Sequence, residues 1–272
     1  MTELAMEQIK KSMQATWMAG DFGVIAKTIA GGAEKFVEAL GITPGMKALD
    51  VATGTGNLAI PIARKGAVVT GVDIATNLLA QARERAKAEG LEINFDEGDA
   101  EALPYEDGAF DLVVTMFGAM FAPRPVMVAE ELGRVLRQGG KLAMANWNPA
   151  SFSGLMFKVG SKHAPGPPGI PPPVQWGDET IVRQRLGPYF NNIRTEIVPV
   201  KFDLPMPPAK AVEFFRQYFG PTQMAFKRVG EAGEAALAAD LVALWSEANV
   251  AEKPEEQTLV MNEFLRVTAT RM

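Results

Sequence analysis

Short apolar runs alternate with amphipathic segments between Met46 and Trp147. The apolar runs are KALDVA, AVVTGVD, LEINFDEGD, FDLVVTMF and KLAMANW, and helical periodicity lies near residues 57–65, 75–89 and 125–138. Several of these runs are almost wholly apolar, which is typical of parallel strands that are covered on both faces. The alternation therefore predicts an α/β fold with a doubly wound sheet.

The third helical segment carries clear signals for its two ends. Pro125 stands where the first turn of a helix tolerates proline, and Gly139-Gly140 supplies a stop signal. One apolar stripe joins them, formed by Val128, Leu132, Val135 and Leu136. We therefore expect this helix to run from residue 125 to residue 138.

The composition changes after Trp147, because twelve of the 19 prolines fall between Pro149 and Pro208. This density predicts a stiff, proline-rich loop over residues 149–178 with polyproline character. Beyond the loop, DETIVRQRLGPYF is expected to be helical and NIRTEIVPVKFDL to be a strand. Residues 208–250 are again expected to be helical, and LVMNEFLRVTATR is expected to be a closing strand.

A chain of 272 residues fits one α/β domain with an insertion. We expect an N-terminal helical cap and an α/β core, interrupted late by a helical cap insertion before the closing strand. The predicted boundaries are 1–40 for the first cap, 41–204 for the core, 205–254 for the insertion and 255–272 for the closing strand.

The charge and composition exclude several classes of protein. A net charge of -5 gives no basic surface for nucleic acid or an anionic membrane. The chain has no cysteine and one histidine, so we expect neither a thiolate nor a histidine-rich metal site. Neither a secretory leader nor the roughly 18 apolar residues of a membrane span is present. We expect a cytoplasmic monomer or homodimer without membrane insertion.

The segment LDVATGTGNLAIPIA predicts a nucleotide-like site. A strand leads into Gly54-x-Gly56 and then into a helix, so that backbone N–H groups can approach a ligand closely. Asp73 ends the next strand, 17 residues beyond Gly56, where a carboxylate can accept hydrogen bonds from both ribose hydroxyls. Both features suit a nicotinamide dinucleotide and S-adenosylmethionine equally.

Asp50 favours S-adenosylmethionine. A carboxylate near the end of a buried strand is unfavourable unless a cationic or hydrogen-bonding group meets it. S-adenosylmethionine offers an ammonium and a sulfonium, whereas the pyrophosphate of NAD would repel Asp50. Asp99 and the N–H of Ala100, at the end of the third strand, are placed to meet an adenine ring.

Four blocks resemble class I S-adenosylmethionine-dependent methyltransferases, nearest to the ubiquinone/menaquinone-biosynthesis (methyltransferase type 11) group. The blocks are LDVATGTG, GVDI, GDAEALPYEDGAFDLVVTMFG and EELGRVLRQGGKLAMANW, and the resemblance covers residues 45–148. It implies a Rossmann-like seven-stranded sheet in the order 3-2-1-4-5-7-6, with the last strand antiparallel.

The resemblance also implies which positions bind the cofactor. These positions are Asp50, Gly54, Gly56, Asp73, Ile74, Asp99, Ala100, Met116 and Phe117. Ala52 lies in the same loop, where many class I enzymes have glycine and the quinone group often has alanine. In similar methyltransferases the N-terminal region folds over the cofactor, which implies that role for Trp17 and Phe22. Helix packing is the alternative for these two aromatic residues.

The implied activity is methyl transfer to a small, hydrophobic metabolite at oxygen, carbon or nitrogen, with S-adenosylhomocysteine as product. Orientation of the reactants can supply ~7–11 kcal/mol of the barrier reduction. A general base is therefore needed only for an acceptor that is a poorly acidic hydroxyl or carbon acid. His163, in the proline-rich loop, is a candidate base, and a solvated loop histidine is the alternative. Candidate pocket residues are Phe117, Met120, Trp147, Tyr218 and Phe219, and helical core packing is the alternative for the last two.

Two other functions remain open at this point. The glycine loop and Asp73 would also serve an NAD-dependent oxidoreductase, against which Asp50 and the GDA block count. A non-catalytic protein that senses S-adenosylmethionine would show the same cofactor-binding residues. The substrate regions, residues 1–40, 149–178 and 205–254, contain no motif that identifies the acceptor.

Overall fold

The computed structural model describes residues 2–272 and contains one seven-stranded sheet. The strands occupy the segments where the sequence predicts them. They are β1 (Lys47–Val51), β2 (Val68–Asp73), β3 (Ile93–Glu97), β4 (Phe110–Met116), β5 (Leu136–Trp147), β6 (Phe190–Leu204) and β7 (Thr258–Arg271).

Ten α-helices are present in the described residues. Some connect consecutive strands, and others precede β1 or lie between β6 and β7. The helices are α1 (Glu3–Ala19), α2 (Phe22–Lys27), α3 (Ala30–Glu38), α4 (Ala59–Arg64), α5 (Thr76–Ala88), α6 (Pro125–Val135), α7 (Phe152–His163), α8 (Glu179–Leu186), α9 (Pro208–Tyr218) and α10 (Gly220–Ala248). Two short 3-10 helices occupy Ala119–Phe121 and Pro173–Gly177.

The strand order is β3-β2-β1-β4-β5-β7-β6, as the resemblance implies. Parallel pairing joins β1 to β2 and β4, β2 to β3, and β4 to β5. The backbone N–H of Met272, after β7, donates to the carbonyl of Tyr189, before β6, at 3.1 Å, so β7 and β6 run antiparallel. The strand order reverses between β1 and β4, and in such sheets ligands bind beyond the carboxyl ends of the strands at this point.

The central strands are buried because both of their faces are covered. Leu49 and Val51 of β1 and Val113 and Val114 of β4 are fully buried. Their almost continuous apolar sequence is therefore required by packing on both faces of the sheet. This rigid centre positions the residues that follow β1 and β4.

The chain forms two compact units. The core unit comprises residues 30–146, 171–198 and 265–272, and the helical unit comprises the chain up to Ile29 together with residues 147–170 and 199–264. Helices α1, α2, α7, α9 and α10 belong to the helical unit.

An aromatic cluster stabilises the helical unit. The ring of Trp245 lies 4.6 Å from that of Phe152, 5.0 Å from Phe215 and 5.9 Å from Phe202, measured between centroids. Trp245 is 1% exposed, so its indole fills the middle of the cluster. Aromatic pairs at such separations add to the free energy gained from burying their surface.

Two predicted elements differ from the structure. Residues Phe152–His163, predicted as part of a stiff proline-rich loop, form helix α7. The apolar residues Phe152, Leu155 and Met156 have helical spacing, and Phe152 and Met156 are buried, so packing determines the conformation between the flanking prolines.

The second difference is the end of α6. The helix ends at Val135 instead of residue 138, because the next residues enter β5. The pairing register with β4 shifts between Leu136 and Lys141, and Gly139, with φ +73°, lies in this irregular segment. The glycines thus permit a bulge in β5.

Among residues 2–272, no helix has the length and apolar character needed to cross a membrane.

Two glycine-to-alanine substitutions are expected to change stability in opposite directions. At Gly71 in β2, a Cβ atom would lie 2.8 Å from Cδ1 of Phe95 and 2.9 Å from Cγ2 of Thr53, so Gly71→Ala should destabilise the fold by about 1–3 kcal/mol. At Gly31 in α3, a Cβ would meet no atom within 4 Å, so Gly31→Ala should stabilise it by about 0.5 kcal/mol. Urea unfolding measures the change in the free energy of unfolding for each variant. Equal changes in the two variants would contradict the close packing around Gly71.

Candidate functional site

The glycine loop joins β1 to α4 and has an unusual backbone. Its φ angles are positive at Ala52 (+57°), Gly54 (+55°) and Gly56 (+81°). The loop is tied to the sheet by a hydrogen bond of 3.0 Å from the Thr53 N–H to the carbonyl of Val72. Ala52 adopts a left-handed conformation that costs a residue with a Cβ about 1–2 kcal/mol. This conformation is the physical reason that glycine suits the position.

Close packing fixes one side of the loop and leaves the other side open. A Cβ atom at Gly118, just after β4, would lie 2.4 Å from Cβ of Ala52, so the two segments approach as closely as glycine permits. A Cβ at Gly54 would meet nothing within 4 Å. The loop therefore presents open space at Gly54, where a ligand can approach the backbone.

Asp50, at the end of β1, organises the loop from inside. Its Oδ2 accepts hydrogen bonds from the hydroxyl of Thr53 at 2.6 Å and from the N–H of Ala59, at the start of α4, at 3.1 Å. Asp50 is 2% exposed. Burial raises the pKa of Asp50 to about 7, although the bonds from Thr53 and Ala59 lower it in part, and the charge of Asp73 adds to the rise.

Asp73, at the end of β2, holds the loop from the neighbouring strand. Its Oδ2 accepts from the N–H of Gly54 and its Oδ1 from the N–H of Ala75, each at 2.8 Å. Burial raises the pKa of Asp73 as well, opposed by these bonds and by one from the N–H of Ile74. The loop N–H groups of Gly54 and Ala59 are thus already bound to the two carboxylates.

The two carboxylates share a further property. Within the described part of the chain, neither Asp50 nor Asp73 forms an ion pair with a basic side chain. Two buried acids without a cation make this end of the sheet a favourable place for a cationic or hydrogen-bond-donating ligand.

The segment after β4 provides the opposite wall within the core unit. Phe117 has φ +57°, and its N–H donates to the carbonyl of Ala145 in β5 at 2.9 Å. Met120 is 2% exposed and lies in the following 3-10 helix, whose first N–H, that of Ala119, donates to the hydroxyl of Thr115 at 3.2 Å. Met116 thus ends β4 and Phe117 directly follows it, beside β1.

Asp99 and Ala100 follow β3. The carboxylate of Asp99 accepts from the N–H of Glu101 at 2.9 Å and so folds the chain back on itself. The core unit therefore brings together the ends of β1, β2, β3 and β4 with the predicted cofactor positions on them. The predicted roles of these positions in binding a cofactor stay predictions.

Two polar features of the core unit were not predicted from the sequence. Glu101 is 1% exposed, and its carboxylate accepts from the backbone N–H of Arg124 at 2.6 Å and from its Nε at 2.7 Å. This pair ties the segment after β3 to the start of α6. Asn146, near the end of β5, is 1% exposed, and its Nδ2 has no partner among the described residues. The one polar residue in the apolar run LAMANW was the available signal for Asn146.

The remaining predicted aromatic residues lie in the helical unit. Trp17, Phe22 and Phe219 form one cluster, with centroid separations of 5.7, 6.1 and 6.2 Å. Tyr218 packs against Phe214 at 5.1 Å, and Trp147 packs against Phe202 at 6.1 Å. These contacts account for the aromatic residues as packing within the helical unit, and their predicted contacts with cofactor and acceptor stay predictions.

His163 is the last residue of α7, in the helical unit. Its Nε2 lies 2.8 Å from Oδ2 of Asp240, which also accepts from Nζ of Lys162 at 2.8 Å. The hydrogen bonds from these two side chains lower the pKa of Asp240, with the bond from Lys162 contributing most. The carboxylate orients the imidazole, and the predicted role of His163 as a base stays a prediction.

The described residues contain no group of three or more His, Cys, Asp or Glu side chains that could hold a metal ion.

Comparisons with known proteins agree with this arrangement of loop and strands. Residues 48–140 match the family model described as a methyltransferase domain. An uncharacterized protein of Mycobacterium tuberculosis is 38% identical over 220 residues, covering 80% of each chain. The demethylmenaquinone methyltransferase of Thermus thermophilus is 44% identical over 115 residues, covering 41% of this chain and 52% of that protein.

A solved structure shows the same fold. The phosphoethanolamine N-methyltransferase 2 of Haemonchus contortus superposes with a TM-score of 0.55 at 18% identity, covering 88% of this chain and 52% of that chain. The family model and the Thermus relative favour the methyltransferase interpretation of the glycine loop over the NAD-dependent alternative.

Replacing Asp50 by asparagine is expected to stabilise the ligand-free protein at alkaline pH. The amide oxygen of asparagine can accept the same two hydrogen bonds without a buried charge. Because the folded-state pKa of Asp50 is raised from 3.8 to about 7, the native protein binds this proton more tightly than the unfolded chain. The resulting stability is present below pH 4 and is lost as the pH rises to 7.

The expected gain of Asp50→Asn is therefore about 2–4 kcal/mol at pH 8, where the wild type carries the buried charge, and near zero at pH 4. Urea unfolding at both pH values measures it. Glu84→Gln, at an exposed position of α5, is the control for a general charge effect. A pH-independent difference between Asp50→Asn and wild type would contradict the burial effect.

Proposed function

The chain belongs to the S-adenosylmethionine-dependent methyltransferase family, and on this premise we propose that it methylates a small, hydrophobic metabolite at oxygen, nitrogen or carbon. One observation carries the proposal. Two buried carboxylates, Asp50 and Asp73, hold a glycine loop that is open at Gly54, and neither is ion-paired within the described residues.

The chemistry of these residues fits S-adenosylmethionine. Asp73 would accept from the ribose hydroxyls, because each carboxylate oxygen can accept a second hydrogen bond beside the one from the backbone. Asp50 would face the ammonium and sulfonium charges, which offset the unfavourable burial of its own charge. Asp99 and Ala100 would meet the adenine, and Ile74, Met116 and Phe117 would supply apolar contacts.

When bound, S-adenosylmethionine would supply a methyl group that its sulfonium activates for transfer to the acceptor. The protein orients the acceptor in line with the carbon–sulfur bond and excludes water. Phe117 and Met120 are buried at the end of β4 and would present apolar surface to the acceptor. The unpartnered Nδ2 of Asn146 would donate to an acceptor oxygen.

An acceptor that carries a proton on the attacking atom also needs a base. In the tautomer that donates its Nε2–H to Asp240, His163 has an unprotonated Nδ1 that can receive this proton. We assign His163 this role for acceptors such as hydroxyl groups. An acceptor that already has a free electron pair reacts without it.

The name of the Thermus relative supports a hydrophobic acceptor. Demethylmenaquinone is an aromatic quinone, and that protein is 44% identical to this chain over 115 residues. The matched part is 41% of this chain, so it supports the cofactor-binding core more than it supports one acceptor. The class of acceptor is therefore proposed as hydrophobic, without a choice of atom.

Ligand binding is expected to separate S-adenosylmethionine from NAD. At ~100 times its dissociation constant, a ligand adds about 2.7 kcal/mol to the free energy of unfolding. S-adenosylmethionine and S-adenosylhomocysteine should raise the melting temperature, and NAD should not. Asp73→Ala should weaken S-adenosylmethionine binding at least fivefold, since two charge-assisted hydrogen bonds are lost. Isothermal titration calorimetry measures the affinity.

The matched control for this loss is Asp96→Ala, which removes a half-buried carboxylate of β3 that bonds Tyr105 and Asn94. Its affinity for S-adenosylmethionine should equal that of the wild type. Stabilisation by NAD alone would overturn the proposal.

Transfer of label from S-adenosylmethionine to a small molecule in a metabolite extract would identify the acceptor, and no transfer across a broad screen would favour a non-catalytic sensor.

The affinity for S-adenosylmethionine is expected to depend on pH through Asp50. Burial raises the pKa of Asp50 to about 7, and a cationic ligand binds the ionised form better. The affinity should therefore fall as the pH drops from 8 to 6, by up to about tenfold per unit below the pKa. The variant Asp50→Asn should bind more weakly at pH 8 and show a flat profile. Calorimetry across this range tests it, and a steep profile in the variant would exclude Asp50 as the cause.

A further inference from the structure

The core unit contains buried N–H donors without a hydrogen-bond partner. Among its described residues these are Nδ2 of Asn146, Nε1 of Trp176 and Nη1 of Arg185. Folded proteins pair the great majority of such groups, so each exception calls for a physical explanation. Asn146 belongs to the region already proposed for the acceptor. Trp176 and Arg185 lie elsewhere in the fold and next to one another.

Trp176 and Arg185 form a stacked pair. Trp176 lies in the 3-10 helix Pro173–Gly177, and Cζ of Arg185, in α8, is 4.8 Å from the centroid of its ring. The ring is 1% exposed. Nη2 of Arg185 donates to Oε1 of Gln175 at 2.8 Å, which leaves Nη1 and the indole N–H unpartnered on neighbouring side chains.

The charge of Arg185 is not balanced by a carboxylate. Within the described residues it forms no ion pair, and its contacts are an amide oxygen and an aromatic face. Arg183, on the same helix, pairs with Glu179, and Arg134, in α6, pairs with Glu131 and Asp107. Burial lowers the pKa of the Arg185 guanidinium, with no opposing contribution from an acid. A half-buried cation in this state favours an anion beside it.

We propose that Arg185 and Trp176 bind an oxyanion, the carboxylate or phosphate group of a small ligand. Guanidinium and indole N–H groups only donate hydrogen bonds, so their common partner has to be an acceptor. A negative charge satisfies the cation, and the planar guanidinium matches carboxylate and phosphate oxygens. Half-exposed Gln175 and Arg185 give such a group a route from solvent.

The proposed oxyanion site lies next to the segment that is proposed to contact the methyl acceptor. The 3-10 helix Pro173–Gly177 contacts the 3-10 helix Ala119–Phe121, which follows β4 and carries Met120. An acidic group held there would belong either to the methyl acceptor or to a free anion. Binding of the oxyanion itself does not depend on the proposed methyl transfer, and the two can be tested separately.

Nuclear magnetic resonance of the full chain tests the site directly. The chain has four tryptophans, so its ¹⁵N-labelled indole region holds four signals, and Trp176→Phe identifies that of Trp176. Titration uses sodium phosphate, sodium acetate and sodium 2-naphthoate, each compared with sodium chloride at equal ionic strength. We expect the Trp176 signal to shift and saturate with an oxyanion, while that of Trp245, buried in the helical unit, stays unchanged.

The arginine variants show whether the guanidinium is responsible. Arg185→Gln should weaken binding of the oxyanion at least tenfold, whereas Arg183→Gln, on the same helix, should retain the wild-type affinity. Tighter binding of 2-naphthoate than of acetate and phosphate assigns the site to an apolar acid such as a methyl acceptor. Tighter binding of phosphate assigns it to a phosphorylated ligand or the free ion.

Three results would overturn the oxyanion site. They are no movement of the Trp176 signal, an equal movement with chloride, and wild-type affinity in Arg185→Gln. If Arg185→Gln does not fold, thermal unfolding of Trp176→Phe is measured instead. Phosphate or naphthoate should then raise the melting temperature of this variant less than that of the wild type. Stabilisation by S-adenosylmethionine, measured on the same samples, reports separately on the proposed methyltransferase function.

Discussion

The hydrogen bond from the Gly54 N–H to the Asp73 carboxylate, 2.8 Å long, joins the end of β2 to the loop that follows β1. The Asp50 carboxylate, in β1, accepts hydrogen bonds from Thr53 in the same loop and from Ala59 at the start of α4. The loop that these bonds hold has positive φ angles at Ala52 and Gly54, and only that of Ala52 is unfavourable, because alanine has a Cβ. The open face at Gly54 therefore depends on two buried carboxyl groups, whose ionised forms are unfavourable without a positive charge beside them.

This arrangement gives the two acids a double role in the fold and in binding. Their hydrogen-bond partners, the Thr53 hydroxyl and backbone N–H groups, compensate part of the burial of the charge, and the raised pKa of Asp50 indicates that the compensation is incomplete. A cation beside them would supply the remainder. Under the proposed function, the stability that the ligand-free protein loses at this site would be regained as affinity for the positively charged cofactor.

Most of the core could be predicted from the sequence, because the signals there are local. Apolar strands such as β4 and glycines with positive φ leave a pattern in consecutive residues. Helix α7 was missed because its flanking prolines outweighed the spacing of Phe152 and Met156. Asp50 was recognised as an acid near the end of a buried strand and Asp73 as a carboxylate for ribose hydroxyls. Their bonds to Ala59 and Gly54 join residues nine and 19 positions apart, which only the folded chain brings together.

The pair of Trp176 and Arg185 shows why other features could not be predicted at all. An arginine at the end of a short helix usually pairs with an acid or with water, as Arg183 does with Glu179. The sequence places Glu179 four positions before Arg183 and Ile181 four positions before Arg185, so it indicates an acid partner for Arg183 alone. It gives no sign of the contact between Arg185 and Trp176. The difference arises because Arg185 stacks on Trp176, so that its charge lies half-buried beside a second donor. The core unit thus contains acids without a cation at the glycine loop and a cation without an acid at the 3-10 helix. The proposed cofactor and the proposed oxyanion thus each carry a charge opposite to that of the groups that would bind them.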